Sequence, residues 1–253
     1  MPDLPDAKEK SRFVQKGFNE IARRYDLLND LMTLGRHRRW KDRVIPLAGV
    51  GERQAILDLC SGTGDLAGRA AQAAGPEGLV IALDFSLHMI ATGRERFSNQ
   101  TGLCISWMRG DACRLPFQDN VFDGVTVGFG LRNVVSIETA LGEAQRVLKP
   151  GKRMVSLDTA GTEWKIFSPF YSFYMAAVVP LLGLCFARSR WMYQYLADSA
   201  KAFHHPAELC ALFEQCGFVQ CGYAFCPRRI GGAALVWGEK PGAGDSLPNP
   251  PGS

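Results

Sequence analysis

The chain has eight cysteines in 253 residues but no Cys-x-x-Cys pair. The last four, Cys210, Cys216, Cys221 and Cys226, stand too far apart for a zinc knuckle, so no metal site is expected, and reduced, mostly buried thiols in a cytoplasm account for them better. The opening residues, MPDLPDAKEK, contain no apolar signal core, so secretion is not expected. Charge of one sign is also scarce. A net charge of +4 suits an anionic ligand or a membrane surface and falls short of a dedicated nucleic-acid binder. No internal repeat breaks the chain into modules.

What is present is core material. Hydrophobic residues make up 47% of the sequence, enough at this length for one α/β domain with decorations. We read residues 1–10 as flexible and residues 11–240 as the domain. The tail from Pro241, PGAGDSLPNPPGS, is rich in Pro, Gly and Ser and is read as disordered.

The domain is organised around residues 55–67, AILDLCSGTGDLA. An apolar run ends in a glycine turn and a helical pattern resumes at once, as where a buried parallel strand hands over to a helix. Gly62 and Gly64 allow a close approach of backbone to ligand. Gly62, Gly64 and Ala67 also satisfy the dinucleotide fingerprint, and Asp84, at the end of LVIALDF, lies where a carboxylate reaches ribose hydroxyls. The turn alone therefore leaves NAD open. Two features favour S-adenosylmethionine: Asp58 inside the first strand, able to orient the turn and an ammonium, and Asp111-Ala112 after the third, able to pair with an adenine edge.

From 55 to 159 the pattern alternates: strands at 55–60, 79–85, 104–109, 123–129 and 153–158, with helices to 74, after Ser86 and after Ser136. Both serines are suitable N-caps, and Lys149-Pro150-Gly151 reads as a turn. Such alternation predicts a doubly wound parallel sheet with its ligand at the carboxyl ends of the strands. The GTG turn, Asp84, Asp111 and GFGLRN (128–133) all fall there. A helix at 206–216 and strands at 218–226 and 233–238 should complete the sheet edge.

Two regions flank this sheet. Residues 11–48 read as two helices joined at Leu34-Gly35 and acting as a lid, with an apolar stripe through Val14, Phe18, Ile21, Tyr25, Leu28 and Met32. In GRHRRWKDR most cations read as a solvated face, His37 as structural, and Trp40 as an option for lipid headgroups. The second region, 160–205, contains 22 uncharged positions between Lys165 and Arg188. That length could span a bilayer, but Pro169, Pro180 and Gly183 divide it, and the strands after it belong on the same side. It reads as an apolar cover for a greasy substrate.

LDLCSGTGDLA, LDFSLHM, GDACRLPFQDNVFD, VGFGLRNV, RVLKPG and YQYLADS, preceded by FNEIARRYDLLNDLMTLGRHRRWK, resemble the ubiquinone/menaquinone biosynthesis C-methyltransferase family over residues 13–238. The resemblance implies a class I methyltransferase fold: a Rossmann-like seven-stranded sheet with an antiparallel last strand, a helical lid and an insert before the sixth strand. It implies methyl transfer from S-adenosylmethionine to a ring carbon of a polyprenylated quinol. FARSRWMYQYLADS is closer to the menaquinone-type members, which favours demethylmenaquinol over the benzoquinol of ubiquinone synthesis. Cofactor contacts carried over from the family fall on Thr63, Asp84, Asp111 and Ala112. One more, often a serine, falls on Gly128. Gly231-Gly232 matches the family's glycine pair, with Ile230 before it where threonine is usual.

A quinol carbon becomes nucleophilic when the neighbouring hydroxyl ionises, so something must favour the anion. Arg132 is the first candidate, with Asn133 orienting the ring and Tyr25, or water relayed by Arg132, taking the proton. The competing role for Arg132 is an ion pair with Asp158 or Glu143. Rival functions are a nucleic-acid methyltransferase, disfavoured because no N/D-P-P-Y stretch follows strand four, and a non-catalytic S-adenosylmethionine or lipid carrier. The partners implied are the quinol and a transient membrane surface at the inner face, with a homodimer left open.

Overall fold

The computed structural model describes residues 7–160, 190–226 and 232–242. Residues 1–6, the uncharged run 166–187, Gly231 and the tail beyond 242 lie outside the described residues.

Seven strands form one sheet: β1 (Ala55–Leu59), β2 (Leu79–Asp84), β3 (Ile105–Arg109), β4 (Phe122–Gly128), β5 (Leu148–Ala160), β6 (Val219–Cys226) and β7 (Gly232–Glu239). Their order is β3-β2-β1-β4-β5-β7-β6. The first five run parallel, and β7 pairs antiparallel with both β5 and β6. The seven-stranded α/β fold with its antiparallel last strand is the one expected. β1 shows why these runs read as buried strands. Ile56 points into the cluster containing Ala67, Ala70 and Val80, while Leu57 and Leu59 point into the opposite one with Leu141 and Phe213. A strand covered on both faces has no position for a polar residue except where one is used.

Helices α5 (Asp65–Ala74), α6 (Leu87–Phe97), α7 (Ile137–Val147) and α9 (Pro206–Gln215) cover the faces, α8 (Arg190–Ala202) lying before α9. Ser86 and Ser136 each accept a hydrogen bond from the amide three residues on, as N-caps do. His205 caps α9 with Glu208 completing a capping box.

Residues 11–48 depart from the two helices expected. They fold as α1 (Ala7–Ile21), a 3₁₀ turn at Ala22–Arg24, α2 (Tyr25–Thr33), α3 (Arg36–Lys41) and α4 (Val44–Leu47). The predicted break does occur at Leu34-Gly35, both left-handed. β5 is also longer than the expected 153–158. Lys149-Pro150-Gly151 lies within it, and the Gly151 amide donates to the carbonyl of Lys240 at 2.8 Å.

α1 crosses α8 at Gly17, where a Cβ would stand 2.1 Å from Met192 Sδ. Val14, Phe18, Ile21, Leu28, Met192, Tyr193 and Leu196 form a third core between these helices. Trp191 Nε1 donates to Glu20 at 3.0 Å across a sequence separation of 171. α1 is also fixed to the strand-end loops. Gln15 Nε2 donates to the Phe85 carbonyl at 3.2 Å, Ser86 Oγ to Asn19 Oδ1 at 2.6 Å, and Lys10 Nζ to the Val134 carbonyl at 2.8 Å.

Candidate active site

A cavity of about 360 Å³ opens at the carboxyl ends of β1, β2, β3 and β4, the position that a doubly wound sheet reserves for its ligand. Of the residues singled out in the sequence, Tyr25, Gly62, Asp84, Asp111, Ala112, Gly128 and Asn133 line it; Asp58, Thr63, Gly64 and Arg132 do not. Gln15, Cys60, Arg109 and Phe129 also line it. Arg109 could have been found as the last residue of β3. Gln15 is on an amphipathic helix with nothing local to mark it.

Asp58 sits beneath the turn, only 1% exposed. Its Oδ1 accepts from Thr126 Oγ1 at 2.7 Å, while Oδ2 is buried with no hydrogen-bond partner among the described residues. Burial pushes its carboxyl up to about 7, against the pull of the Thr126 hydroxyl. Asp84 accepts from the amides of Ser86 at 2.8 Å and Gly62 at 2.9 Å. Burial still outweighs these and raises it to about 6. Two buried carboxyls with unfilled acceptor capacity await a donor or a cation.

The glycine turn is shaped by packing as well as by the ligand. Gly64 has φ +83° and a Cβ there would stand 2.4 Å from Trp107 Cη2, so it supports the turn from outside the cavity. Thr63, expected as a cofactor contact, instead donates Oγ1 to Asp26 Oδ1 of α2 at 2.8 Å. Its side chain ties lid to turn. Asp65, the first residue of α5, accepts from Lys41 at 2.7 Å and Arg96 at 2.6 Å. Burial alone would raise Asp65, but Lys41 and Arg96 hold it well below the usual carboxylate range. The start of α5 therefore carries its own anion.

In the basic segment Lys41 is the exception to an otherwise solvated set, since Arg36, Arg38, Arg39 and Arg43 are exposed as expected. Lys41 and His37 are buried, the latter with Nε2 2.9 Å from Asp30 Oδ1. At the rim, Asp111 Oδ1 accepts from the Cys113 amide at 2.9 Å. Gly128 faces the cavity with backbone alone, and any Cβ there would meet Leu66 Cδ1 at 2.8 Å.

Arg132 does not stand free beside the cavity. It is 9% exposed, with Nη1 2.5 Å from Asp158 Oδ1 and 2.8 Å from the Phe129 carbonyl. This is the ion pair that the sequence offered as the competing role. Burial by itself would lower the guanidinium, but Asp158 outweighs it and the net direction is up. Asn133 does reach the cavity. Its Nδ2 donates to the Phe129 carbonyl at 3.2 Å and its Oδ1 accepts from Tyr195 Oη at 3.3 Å. Burial raises the Tyr25 phenol above its ordinary value although Arg132 opposes it. At neutral pH Tyr25 keeps its proton and is a donor, which removes it as the proton acceptor first considered.

The cavity thus has an acidic floor and a wall of neutral donors, suited to a ligand that is cationic and rich in hydroxyls. Asp58, Asp84 and the Asp111-Ala112 edge fit S-adenosylmethionine in charge and in donor–acceptor sense. Among the described residues no helix is long and apolar enough to cross a membrane.

Comparisons with known proteins agree with this geometry. The family model described as the ubiE/COQ5 methyltransferase family matches residues 5–240. The ubiquinone/menaquinone biosynthesis C-methyltransferase UbiE of Xylella fastidiosa is 41% identical over 220 residues, 86% of each chain. The demethylmenaquinone methyltransferase of Staphylococcus aureus is 38% identical over 216 residues, 85% of this chain and 89% of that one. Among solved structures, a possible histamine N-methyltransferase of Thermotoga maritima superimposes with TM-score 0.61 at 18% identity, covering 89% of this chain and 99% of that one. A Haemonchus contortus phosphoethanolamine N-methyltransferase bound to S-adenosyl-L-methionine does so with TM-score 0.57 at 15% identity, covering 80% and 52%. The structures carry the fold, whereas the sequence likeness runs nearly the whole length of the chain and admits one conclusion: it belongs to the ubiE/COQ5 methyltransferase family and is an S-adenosylmethionine-dependent methyltransferase.

Proposed function

We propose that this chain methylates a ring carbon of a polyprenylated quinol, with demethylmenaquinol as substrate and menaquinol as product. The observation that carries the reading is the pairing, in one cavity, of an acidic floor with Tyr25 and Asn133, two neutral donors beside Phe18, Phe85, Met89 and Val134. The names of the relatives support the substrate class. The combined name of the Xylella relative keeps the benzoquinol of ubiquinone synthesis as a second reading.

S-adenosylmethionine supplies the methyl group already activated on a sulfonium, so the chain's own residues need only align the ring and render its carbon electron-rich. Asn133 and Tyr25 donate hydrogen bonds to the ring oxygen and lower its pKa as charge develops on it. The hydroxyl proton passes to water, and the phenolate left behind delocalises negative charge onto the neighbouring carbon. A carbon–carbon bond forms there as the sulfur–carbon bond breaks, and the ring C–H proton then leaves to water to restore aromaticity. Asp84, Asp111, Ala112 and the backbone of Gly62 and Gly128 hold the donor, and Asp58, buried behind the turn, adds its negative charge from beneath. Thr63 and Gly64 brace the turn, and Arg132 braces Asn133 through Phe129. The 3₁₀ turn, α2 and α1 form the lid. Exposed Leu34, with Arg36 and Arg39 next to it, offers a contact for the membrane that dissolves the substrate.

The test is transfer of labelled methyl to short-tailed demethylnaphthoquinol and, side by side, to the demethoxy benzoquinol. The naphthoquinol should be methylated faster, and only when reduced. Equal rates on quinol and quinone would overturn the phenolate step, and faster benzoquinol turnover would reassign the substrate.

A further inference from the structure

Asn133 is a polar side chain at the cavity wall held at both ends of its amide, by Phe129 of its own segment and by Tyr195 of α8. A carbonyl oxygen can only accept, so the Asn133 atom 3.2 Å from the Phe129 carbonyl is the amide nitrogen. Its Oδ1 is then the atom that meets Tyr195 Oη at 3.3 Å, and the hydroxyl donates. Among the described residues one amide N–H remains uncommitted. The Phe129 carbonyl is itself held in place: Phe129 has φ +57°, its amide donates to Leu157 at 2.6 Å, and Arg132 Nη1 holds the same carbonyl at 2.8 Å, anchored in turn by Asp158.

We propose that Tyr195 is a positioning residue that locks the Asn133 amide so that its free N–H, and not its oxygen, is presented to the ring oxygen of the substrate. This deepens the quinol reading and rests on it. A flipped amide would point a carbonyl at a developing phenolate, two acceptors facing each other. Without Tyr195 the only bias against that flip is the single bond to Phe129. Tyr195 is suited to the task because it is buried, with its ring 5.4 Å from Phe13 edge-on. Burial also raises its phenol to about 12, so the hydroxyl stays a donor throughout the working pH range. It stands on α8, which follows the apolar segment expected to cover the substrate.

Tyr195→Phe keeps the ring and deletes only the hydroxyl. We expect kcat for the quinol to fall about tenfold, less than the 10²–10³ of losing such a donor outright, with KM and the S-adenosylmethionine affinity within about twofold. Asn133→Ala should cost more, and the double variant should be no slower than Asn133→Ala alone, because Tyr195 acts only through Asn133. Additive losses, or an unchanged kcat in Tyr195→Phe, overturn the proposal. A second measurement needs neither turnover nor a variant that folds well. In the wild-type protein 15N relaxation of the Asn133 side-chain NH2 signals should show that amide to be as rigid as the neighbouring backbone, and large-amplitude fast motion of the amide overturns the lock. If the wild-type chain methylates no quinol, the functional reading fails while these signals still decide whether Tyr195 holds the amide.

Discussion

The two ends of the cavity handle buried charge in opposite ways. At the β1–β2 end, Asp58 and Asp84 are buried acids that form no ion pair among the described residues and are supported by one hydroxyl and by backbone amides. At the β4–β5 end, Arg132 and Asp158 are equally buried but neutralise each other at 2.5 Å. An uncompensated charge held away from water costs stability and is kept where a ligand repays it. A compensated pair needs no ligand and serves shape. On the proposed function the acids serve to bind the methyl donor, and the ion pair holds the wall in register. Arg132, which looks the most catalytic in sequence, is committed to Asp158 and to the Phe129 carbonyl.

This contrast is tested most severely at the pair. Arg132→Met leaves Asp158 buried and alone and should cost about 3–5 kcal/mol of stability, read by chemical denaturation. The double variant Arg132→Met/Asp158→Leu should recover most of it. A small loss in the single variant would mean that the pair is not the brace described.

Asp58→Asn should behave in the opposite sense. Removing an unpartnered acid should leave the ligand-free protein as stable or more so, while S-adenosylmethionine affinity drops about tenfold or more, as measured by calorimetry. Parallel losses of stability and affinity would erase the distinction between the two ends.

pH should separate the same two quantities. Folding raises Asp58 to about 7 and Asp84 to about 6, above the ~4 of an unfolded aspartate. The folded state therefore holds these protons more tightly. Their contribution to stability is complete below about pH 4 and is lost as pH climbs through 6 and 7. The melting temperature of the ligand-free protein should decline across that window while affinity for the cationic donor rises, and a flat affinity would remove the acids from the donor site.

The smallest effect is expected at the lid. Asp26→Asn weakens the contacts to Thr63 and Arg96, partly exposed, and should cost about 1 kcal/mol or less, seen as faster release of the donor with chemistry unchanged.

Much of the fold was legible because β1, β2 and β4 are mostly apolar runs, each followed by a helix before the next strand. LDLCSGTGD and LDFS are local statements, and Ser86 and Ser136 stop and start elements within a few residues. The break at Ala22–Arg24 was missed because alanine and arginine are good helix formers and nothing in the sequence signals a 3₁₀ turn. The extension of β5 through Pro150-Gly151 was missed because Lys240, which pairs with Gly151, is far away in the chain. The same limit governed the site. Asp84 and Asp111 could be found from their places after strands, but the partner of Arg132 is 26 residues away and that of Asn133 is 62 away. Whether a guanidinium is free or already satisfied is a property of packing, and no short motif carries it.

The crossing of α1 and α8 at Gly17 has a consequence for how the molecule is made. Synthesis proceeds from the amino end, so the helix bearing Gly17 waits through most of translation for Met192 and Trp191, the side chains that will press against it. The earliest helix described here is thus among the last to be immobilised, and until then its greasy stripe is at the disposal of chaperones or of a bilayer surface.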